Sequence, residues 1–304
     1  MRKSVVLISI IILGGILLSV YDLNGIALNA VYNTNGESLN AAYDVNGYNI
    51  FTSIPVPTGD LNASETIVLP DIHTGVHGWT CTGMCYDPKT DSFLIGDNGE
   101  TFPGTGDWNT QIVRVTNDFE TVIETIPLYN ENSVRIEGVQ GVTIDTSDGT
   151  IWYYSPRENK VRNIDTAGNI IKSFSLARGS GISYSRKDKC FWMLVNNPKK
   201  ILKVSKTGSV LEEYAFAYDE ALDQCFIDEG RNLMYMTAGA NYTGRNNVYC
   251  FNMVTHEQYI ACTVDSYAVE GIWLGDANKM IILNDGYYHS AAVPHNQANI
   301  YTIQ

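Results

Sequence analysis

One short pattern recurs five times along this chain and constrains its fold more than any other feature. Each copy is Gly-apolar-x-apolar-Asp or a near variant, and a turn and further strand-like runs follow it. The copies occupy residues 83–87, 141–145, 181–185, 224–228 and 271–275. A repeat every ~40 to 60 residues, with four strand-like runs in each interval, is typical of β-propeller blades. The sequence therefore predicts an all-β fold, a five-bladed β-propeller, with six blades as the less favoured count.

The last repeat unit is one strand short. The first four units each contain a fourth strand-like run, whereas the fifth ends after its third run at 300–303. An additional run at 65–69 precedes the first unit and can supply the missing outer strand. Such a closure joins the two ends of a propeller and leaves no open blade edge. We therefore expect a propeller over 62–304 that is closed by an N-terminal strand.

Composition supports a β-rich globular body and argues against a nucleic-acid partner. The chain is 44% hydrophobic and only 17% charged, with 26 glycines available for turns. Its formal net charge of -13 offers no basic face for phosphate groups, so we expect no nucleic-acid binding. Solubility is the simplest interpretation of this charge.

The first nineteen residues are apolar and open to three interpretations. Arg2-Lys3 and an unbroken apolar run over 5–18 have the form of a secretory signal and are short for a membrane span. No small-x-small cleavage site follows. Segment 1–19 is therefore a signal, an anchor or a segment buried in an assembly.

A second, smaller repeat occupies 20–53. The units at 21–25, 32–36 and 43–47 recur every eleven residues, and each ends in Asn-Gly, a strong signal for a tight hairpin turn. This spacing predicts a small β-meander, which would bury little core by itself and would pack on sister chains or a partner. The Pro-rich segment 54–61 is the predicted linker to the propeller.

These tandem Tyr-Asp-x-Asn-Gly units resemble the attachment segments of tail-associated proteins from phages and prophages of gut Firmicutes. The resemblance covers about thirty residues. It implies a location in a virion tail or at a cell surface rather than in the cytoplasm. It also implies tail or surface proteins as partners, with a homo-oligomer as a further option. The predicted propeller also resembles the five-bladed propellers in receptor-binding proteins of phages that infect Gram-positive hosts.

Uneven loop lengths locate the candidate ligand site. Connections from second to third strands and connections that enter first strands share one face of a propeller, and three blades carry insertions there, at 97–109, 238–246 and 285–296. An entry loop at 71–79 joins them. Inserted loops on a rigid frame often carry function, and aromatic, Asp, Asn and His side chains suit sugar rings. The candidate ligand-binding residues are His73, His77, Trp79, Asp97, Asn98, Trp108, Tyr242, Asp285, Tyr287, Tyr288 and His289. The alternative is that the aromatics only cover small cores of the loops themselves.

Carboxylates at strand ends beside the central channel suggest a metal hypothesis. Glu137, Asp223 and Glu270 could hold Ca²⁺, which takes six to eight oxygen ligands, or could simply accept backbone hydrogen bonds. The Glu-Gly-apolar and Asn-Asp-Gly pieces are similar to those of phytase-like and lactonase-like propellers, and this similarity implies a channel calcium. The sequence itself requires no cofactor.

Six cysteines fall within or beside apolar strand runs. Cys81 and Cys85 are four residues apart on one predicted strand, roughly 13 Å, which is too far for a disulfide. We expect buried free thiols rather than a disulfide framework or a zinc site.

Two functional hypotheses from different classes follow. The first is a phage-type tail-associated or surface adhesin whose propeller binds a cell-wall or surface polysaccharide. The alternative is an exported, calcium-dependent propeller hydrolase that acts on a lactone, a phosphoester or a glycan. No Gly-x-Ser-x-Gly or His-Glu-x-x-His motif is present, which favours the binding module and leaves enzymatic activity open.

Overall fold

The computed structural model describes four strands within residues 7–43, and then residues 55–72, 79–99, 110–238, 244–275, 278–285 and 296–303. The chain divides into two compact units, 1–54 and 55–304. All regular secondary structure in the described residues is β-strand, which confirms the all-β prediction. No helix in these ranges is long and apolar enough to cross a membrane.

The N-terminal unit contains one antiparallel sheet. Its strands, in sheet order, are β1 (Leu7–Ile12), β2 (Gly15–Tyr21), β3 (Ala27–Tyr32) and β4 (Ser38–Tyr43). The apolar run that the sequence analysis separates as 1–19 thus supplies β1 and most of β2. The Asn-Gly turns lie outside the described residues, and their conformation stays a prediction.

The second unit is a five-bladed propeller, as predicted. Two short strands come first, β5 (Gly59–Leu61) and β6 (Glu65–Val68). Blade 1 contains β7 (Cys81–Asp87), β8 (Ser92–Asp97), β9 (Gln111–Thr116) and β10 (Val122–Pro127). Blade 2 contains β11 (Gly141–Asp145), β12 (Thr150–Ser155), β13 (Lys160–Ile164) and β14 (Ile170–Ser175). Blade 3 contains β15 (Gly179–Ser185), β16 (Cys190–Val195), β17 (Lys200–Val204) and β18 (Val210–Ala215).

The last two blades each include a strand from the start of the unit. Blade 4 contains β19 (Leu222–Asp228), β20 (Leu233–Ala238), β21 (Asn246–Asn252) and β22 (Gln258–Val264), with β5 parallel to β22 at the rim. Blade 5 contains β23 (Ile272–Gly275), β24 (Lys279–Asn284) and β25 (Gln297–Thr302). Strand β6 pairs antiparallel with β25, so the predicted closing strand lies in blade 5. Strand β5 differs from prediction, because its residues were expected in a linker and instead cover the exposed edge of β22.

The repeated glycine is required by close approach at the propeller axis. The first strands of the five blades form a ring in the order β7, β11, β15, β19, β23 and back to β7. A Cβ on Gly83, Gly141 or Gly181 would lie 2.7 Å from a backbone carbonyl oxygen of the next blade. No side chain fits there without moving the neighbouring backbone.

Blade 4 departs from the pattern with Gln224 at this position. Its side-chain oxygen accepts hydrogen bonds from the N–H groups of Ile182 and Cys225, at 3.0 and 2.9 Å. A Cβ on Gly83 would lie 1.8 Å from its Nε2, although blades 4 and 1 are not neighbours in the ring. The Gln224 side chain therefore crosses the axis and fills the space that the glycines leave.

The repeated aspartate caps the turn that follows the first strand in blades 1, 2 and 4. One carboxylate oxygen of Asp87, Asp145 and Asp228 accepts a backbone N–H from two or three residues ahead, at 3.0 to 3.1 Å. Such side-chain bonds hold the hairpin between first and second strands.

Apolar side chains fill the wedges between neighbouring blades. One buried cluster joins blades 2 and 3, where the rings of Trp152 and Phe191 are 4.6 Å apart. Burial of each such side chain contributes about 1.5 to 3 kcal/mol, so these wedges supply much of the cohesion between blades. All six cysteines are free thiols, five buried and Cys85 half-buried, as the sequence predicts.

Candidate functional site

The insertions stand on three consecutive blades. Blades 4, 5 and 1 follow one another around the ring, and their long second-to-third-strand connections leave from the same face. Blades 2 and 3 have short connections at 156–159 and 196–199. The candidate site therefore occupies one half of one face. The strand ends that carry the insertions in this half lie within the described residues. Seven of the predicted ligand-binding residues lie outside the described residues: His73, His77, Trp108, Tyr242, Tyr287, Tyr288 and His289.

Asp97 fixes the base of the blade 1 insertion. Its fully buried carboxylate accepts hydrogen bonds from the N–H groups of Thr80 and Gly99, at 3.3 and 2.9 Å, and from Nε2 of Gln111 at 3.0 Å. These bonds connect both ends of the insertion to the entry of the first strand. Asp97 is thus a supporting residue beneath the site, whereas the sequence analysis expects it to contact ligand.

Asn98, which is also predicted to bind ligand, follows Asp97 at the base of the blade 1 insertion and is half-buried. Its backbone N–H donates to the carbonyl of Thr80 at 2.9 Å, and its own carbonyl accepts from the Thr110 hydroxyl at 3.0 Å. The Thr110 hydroxyl in turn accepts from the N–H of Gly138 at 3.0 Å. The insertion is thereby joined to the connection that leads into blade 2.

The entry loop and the blade 5 insertion meet at Asn296. Its side chain accepts from the N–H of Cys81 at 2.8 Å and donates to the carbonyl of Trp79, while its own carbonyl accepts from the N–H of Leu69 at 2.7 Å. One asparagine therefore holds the last residue of the insertion against the start of β7 and the end of the closing strand.

Trp79 is a correction to the predicted site. Its side chain is only 2% exposed and packs in the core between blades 5 and 1 with Leu69, Cys81 and Met84. The indole N–H donates to the carbonyl of Pro70 at 2.9 Å. Because both its ring and its polar group are engaged in the interior, Trp79 stabilises the entry loop and cannot stack on a ligand.

Asp285 is 2% exposed, so it too lies below the surface of the face. The adjacent Asn284 donates to the side-chain oxygen of Gln297 at 3.3 Å and accepts from the N–H of Ala268 at 3.3 Å. The base of the blade 5 insertion is therefore held to its own third strand and to the loop that arrives from blade 4.

Buried amides at the start of the third strands are the site-supporting residues that sequence reasoning missed. Gln111, Asn246 and Gln297 begin the third strands of blades 1, 4 and 5, and each is less than 10% exposed. Asn246 donates to the backbone carbonyls of Ser266 and Tyr267. A sequence signal existed, because the third strands of blades 2 and 3 begin with lysine instead.

The three residues proposed for calcium lie in different environments. Glu137 is exposed, Asp223 is half-buried, and Glu270 is 8% exposed and accepts a hydrogen bond from Nε2 of Gln140 at 3.2 Å. Within the part of the chain that the structure describes, no three His, Cys, Asp or Glu side chains form a group that could hold a metal ion. The channel calcium stays a prediction.

Negative charge gathers around Cys81 at this end of the axis. Burial raises the pKa of the Cys81 thiol well above its ordinary value, and the nearby carboxylates of Asp285, Glu270 and Asp97 raise it further. The thiol therefore stays protonated near neutral pH, which makes it a poor nucleophile.

No protein-family model matches the chain, and no curated protein matches it. Among solved structures, a Bacteroides caccae protein of unknown function is 10% identical over 90% of this chain and 85% of its own, with a TM-score of 0.47. Virginiamycin B lyase from Staphylococcus aureus is 15% identical over 97% of this chain and 94% of its own, with a TM-score of 0.42. U3-55K is 13% identical over 75% of this chain and 63% of its own, with a TM-score of 0.45. Likeness at this level carries no argument about function, and the propeller assignment depends on the strand order itself.

Proposed function

We propose that the propeller is a binding module that holds a cell-wall or surface glycopolymer on the face formed by blades 4, 5 and 1. The observation that carries this proposal is the position of the insertions. Three consecutive blades and the entry loop place their inserted segments on one half of one face, above bases fixed by buried hydrogen bonds such as those of Asp97 and Asn296.

The composition of the insertions fits a sugar ligand. Trp108, Tyr242, Tyr287 and Tyr288 supply aromatic faces for pyranose rings, and His73, His77 and His289 supply hydrogen-bonding groups. A rigid base lowers the entropy that such loops lose on binding. Asp97 and Asp285 support the loops from below in this proposal, and Trp79 has no part in contact with the sugar.

The N-terminal unit is the attachment segment in this proposal, in a tail-associated or surface adhesin. Its support is the division of the chain at residue 54 together with the resemblance of the Tyr-Asp-x-Asn-Gly units.

A calcium-dependent hydrolase is the second candidate. The observation in its favour is that Asp285, Glu270 and Asp97 each raise the pKa of Cys81, although within the described residues no three such side chains form a metal-binding group. Hydrolysis would also require a metal-activated water or a poised base.

Calorimetry with purified fragments of a Gram-positive cell-wall glycopolymer tests the proposal. The wild type should bind, and Trp108→Ala should bind about tenfold more weakly because a stacking aromatic is lost. Tyr259→Ala is the matched control, since Tyr259 is 39% exposed on the rim strand of blade 4. No binding by the wild type contradicts the proposal, and polymer cleavage that disappears with a calcium chelator favours the hydrolase.

A further inference from the structure

The connection from blade 1 to blade 2 is a fourth insertion on the same face. It runs over 128–140, whereas the corresponding connection from blade 2 to blade 3 covers only 176–178. Within it, Tyr129 and Arg135 pair as an isolated antiparallel bridge, so residues 129–135 form a small hairpin. We call this element the blade 1–2 hairpin. The sequence analysis does not include it in the site.

The tip of the blade 1–2 hairpin is held rigidly against blade 2. Glu131 accepts hydrogen bonds or ion pairs from Arg162 at 3.0 Å, Lys160 at 3.1 Å and Ser173 at 2.8 Å. Partial burial raises the pKa of Glu131, but these donors outweigh it and hold the pKa well below its ordinary value. Asn130 also closes the turn by accepting from the N–H of Val134 at 3.1 Å. The hairpin is therefore organised before any ligand arrives.

One face of the hairpin is an aromatic platform with a cation, formed by Tyr129 and its bridge partner Arg135. Tyr129 is 43% exposed, and Val134, which precedes Arg135 and lies on the other face, is 57% exposed. The Arg135 guanidinium lies over the Tyr129 ring, 5.3 Å from its centroid, and donates to the phenol oxygen at 3.3 Å. Since Arg135 covers one face of the ring, the opposite face is the flat apolar surface for a ligand, and the guanidinium supplies hydrogen-bond donors beside it.

The blade 1–2 hairpin is continuous with the proposed site. The N–H of Leu128, where the hairpin begins, donates to the carbonyl of Thr110 at 3.2 Å, and the Thr110 hydroxyl connects Gly138, just after the hairpin, to Asn98. A Cβ on Gly138 would lie 2.8 Å from the side-chain oxygen of Asn98. The hairpin and the blade 1 insertion thus share one base without a gap.

From this geometry we infer that the blade 1–2 hairpin is an additional sugar subsite, in which a pyranose ring of the same polymer stacks on Tyr129 and hydrogen-bonds to Arg135. This inference rests on the proposed function and extends it, because it gives the site a second anchor away from the loops of blades 4 and 5. A glycopolymer long enough to reach both anchors should bind more tightly than a short fragment.

The test measures affinity as a function of fragment length. Wild-type protein should bind long wall-polymer fragments about tenfold more tightly than short ones, and Tyr129→Ala should remove that gain while leaving short fragments unaffected. Tyr129→Phe keeps the ring and should keep the gain, as should the rim control Tyr259→Ala. Trp108→Ala should instead weaken both lengths. An undiminished length gain in Tyr129→Ala overturns the subsite but not the proposed function, whereas no binding of either length by wild type overturns both.

A second variant covers the case in which Tyr129→Ala loosens the hairpin. Because five of the six native thiols are buried and Cys85 is half-buried with a strongly raised pKa, Val134→Cys introduces one reactive thiol in the hairpin, next to Arg135 in the chain. A bulky maleimide at this position should abolish the length gain, while the unlabelled variant keeps it. Val254→Cys, 66% exposed on a turn between third and fourth strands at the opposite face, is the labelling control. Retention of the gain after labelling of residue 134 overturns the subsite.

Discussion

The half of the ring formed by blades 4, 5 and 1 and the half formed by blades 2 and 3 differ at one end. In the first half, buried polar groups such as Asp97, Asn246 and Asn296 fix the bases of long loops. The polar side chains at those strand ends hold the first and last residues of the insertions in place.

In the second half, polar groups at the same end join blade to blade, as Asn296 also does between blades 5 and 1, but the second-to-third-strand connections above them are short. The Tyr154 hydroxyl accepts from the N–H of Gly179 at 2.8 Å, and the Asn196 side chain bonds both backbone groups of Leu222 at 2.8 and 2.9 Å. Towards the axis, blade 1 is built like blades 2 and 3, because Gly83, Gly141 and Gly181 make the same close approach to a backbone oxygen, and Asp87 and Asp145 cap the turns at the opposite face. The comparison teaches that the blades share a frame, and that the long second-to-third-strand connections are confined to one end of blades 4, 5 and 1.

The largest expected effect is at the axis, where the halves should respond equally. Gly83→Ala in one half and Gly181→Ala in the other each place a Cβ 2.7 Å from a backbone oxygen, and each should lower the free energy of unfolding by roughly 3 kcal/mol. Chemical denaturation measures this. Gly230→Ala is the control, because its Cβ meets only one side-chain atom at 3.3 Å. A small loss of unfolding free energy at one glycine and a large loss at the other would show that the two halves are not built alike at the axis.

A smaller effect should separate the halves at the ends of the second strands. Asp97→Ala leaves three buried donors unsatisfied and should cost about 2 to 3 kcal/mol, with weaker polymer binding. Ser155 holds the equivalent position in blade 2, is fully buried, and makes no side-chain hydrogen bond within the described residues. Ser155→Ala should change neither stability nor affinity measurably. Equal losses in the two variants would show that the polar base is not special to the insertion-bearing half.

The smallest effect concerns two buried thiols. Burial raises the pKa of Cys190 in blade 3 to about 11, whereas Cys81 in blade 1 is fully buried beside three carboxylates, and both causes raise its pKa well above the ordinary value. Since the thiolate is the reactive form, alkylation of native protein should begin at Cys190 as the pH rises towards 11, with Cys81 unreactive. Mass spectrometry of peptides after a short alkylation reports both sites. Earlier modification of Cys81 would contradict the charge asymmetry.

Much of the frame could be predicted because its signals are local. Alternating apolar runs and turn residues recur at every unit, and blades 1 to 3 add a glycine four positions before a turn-capping residue, so five blades and the closing strand follow from pattern alone. Strand β5 was not predictable, because its partner β22 lies some two hundred residues away and Pro-rich flanks favour a linker.

The sequence located the candidate site but did not separate residues that face a ligand from residues that support the loops. Trp79 and Trp108 look alike in the sequence, since both are tryptophans in polar, glycine-containing loops on the same face. Only the packing of Trp79 against Leu69 and Met84 places it in the core. The supporting amides and the blade 1–2 hairpin were missed for the same reason, because their partners come from other strands and blades.

The sequence by itself determined the all-β fold, the number of blades, the free thiols and the end of the propeller that carries long loops. Tertiary structure alone decided that Gln224 crosses the axis, that Trp79 is core, and that Tyr129 stands exposed beside the site. The physical reason is range. Turn chemistry and strand alternation act over a few residues, whereas burial and close approach depend on which distant segments the closed ring brings together.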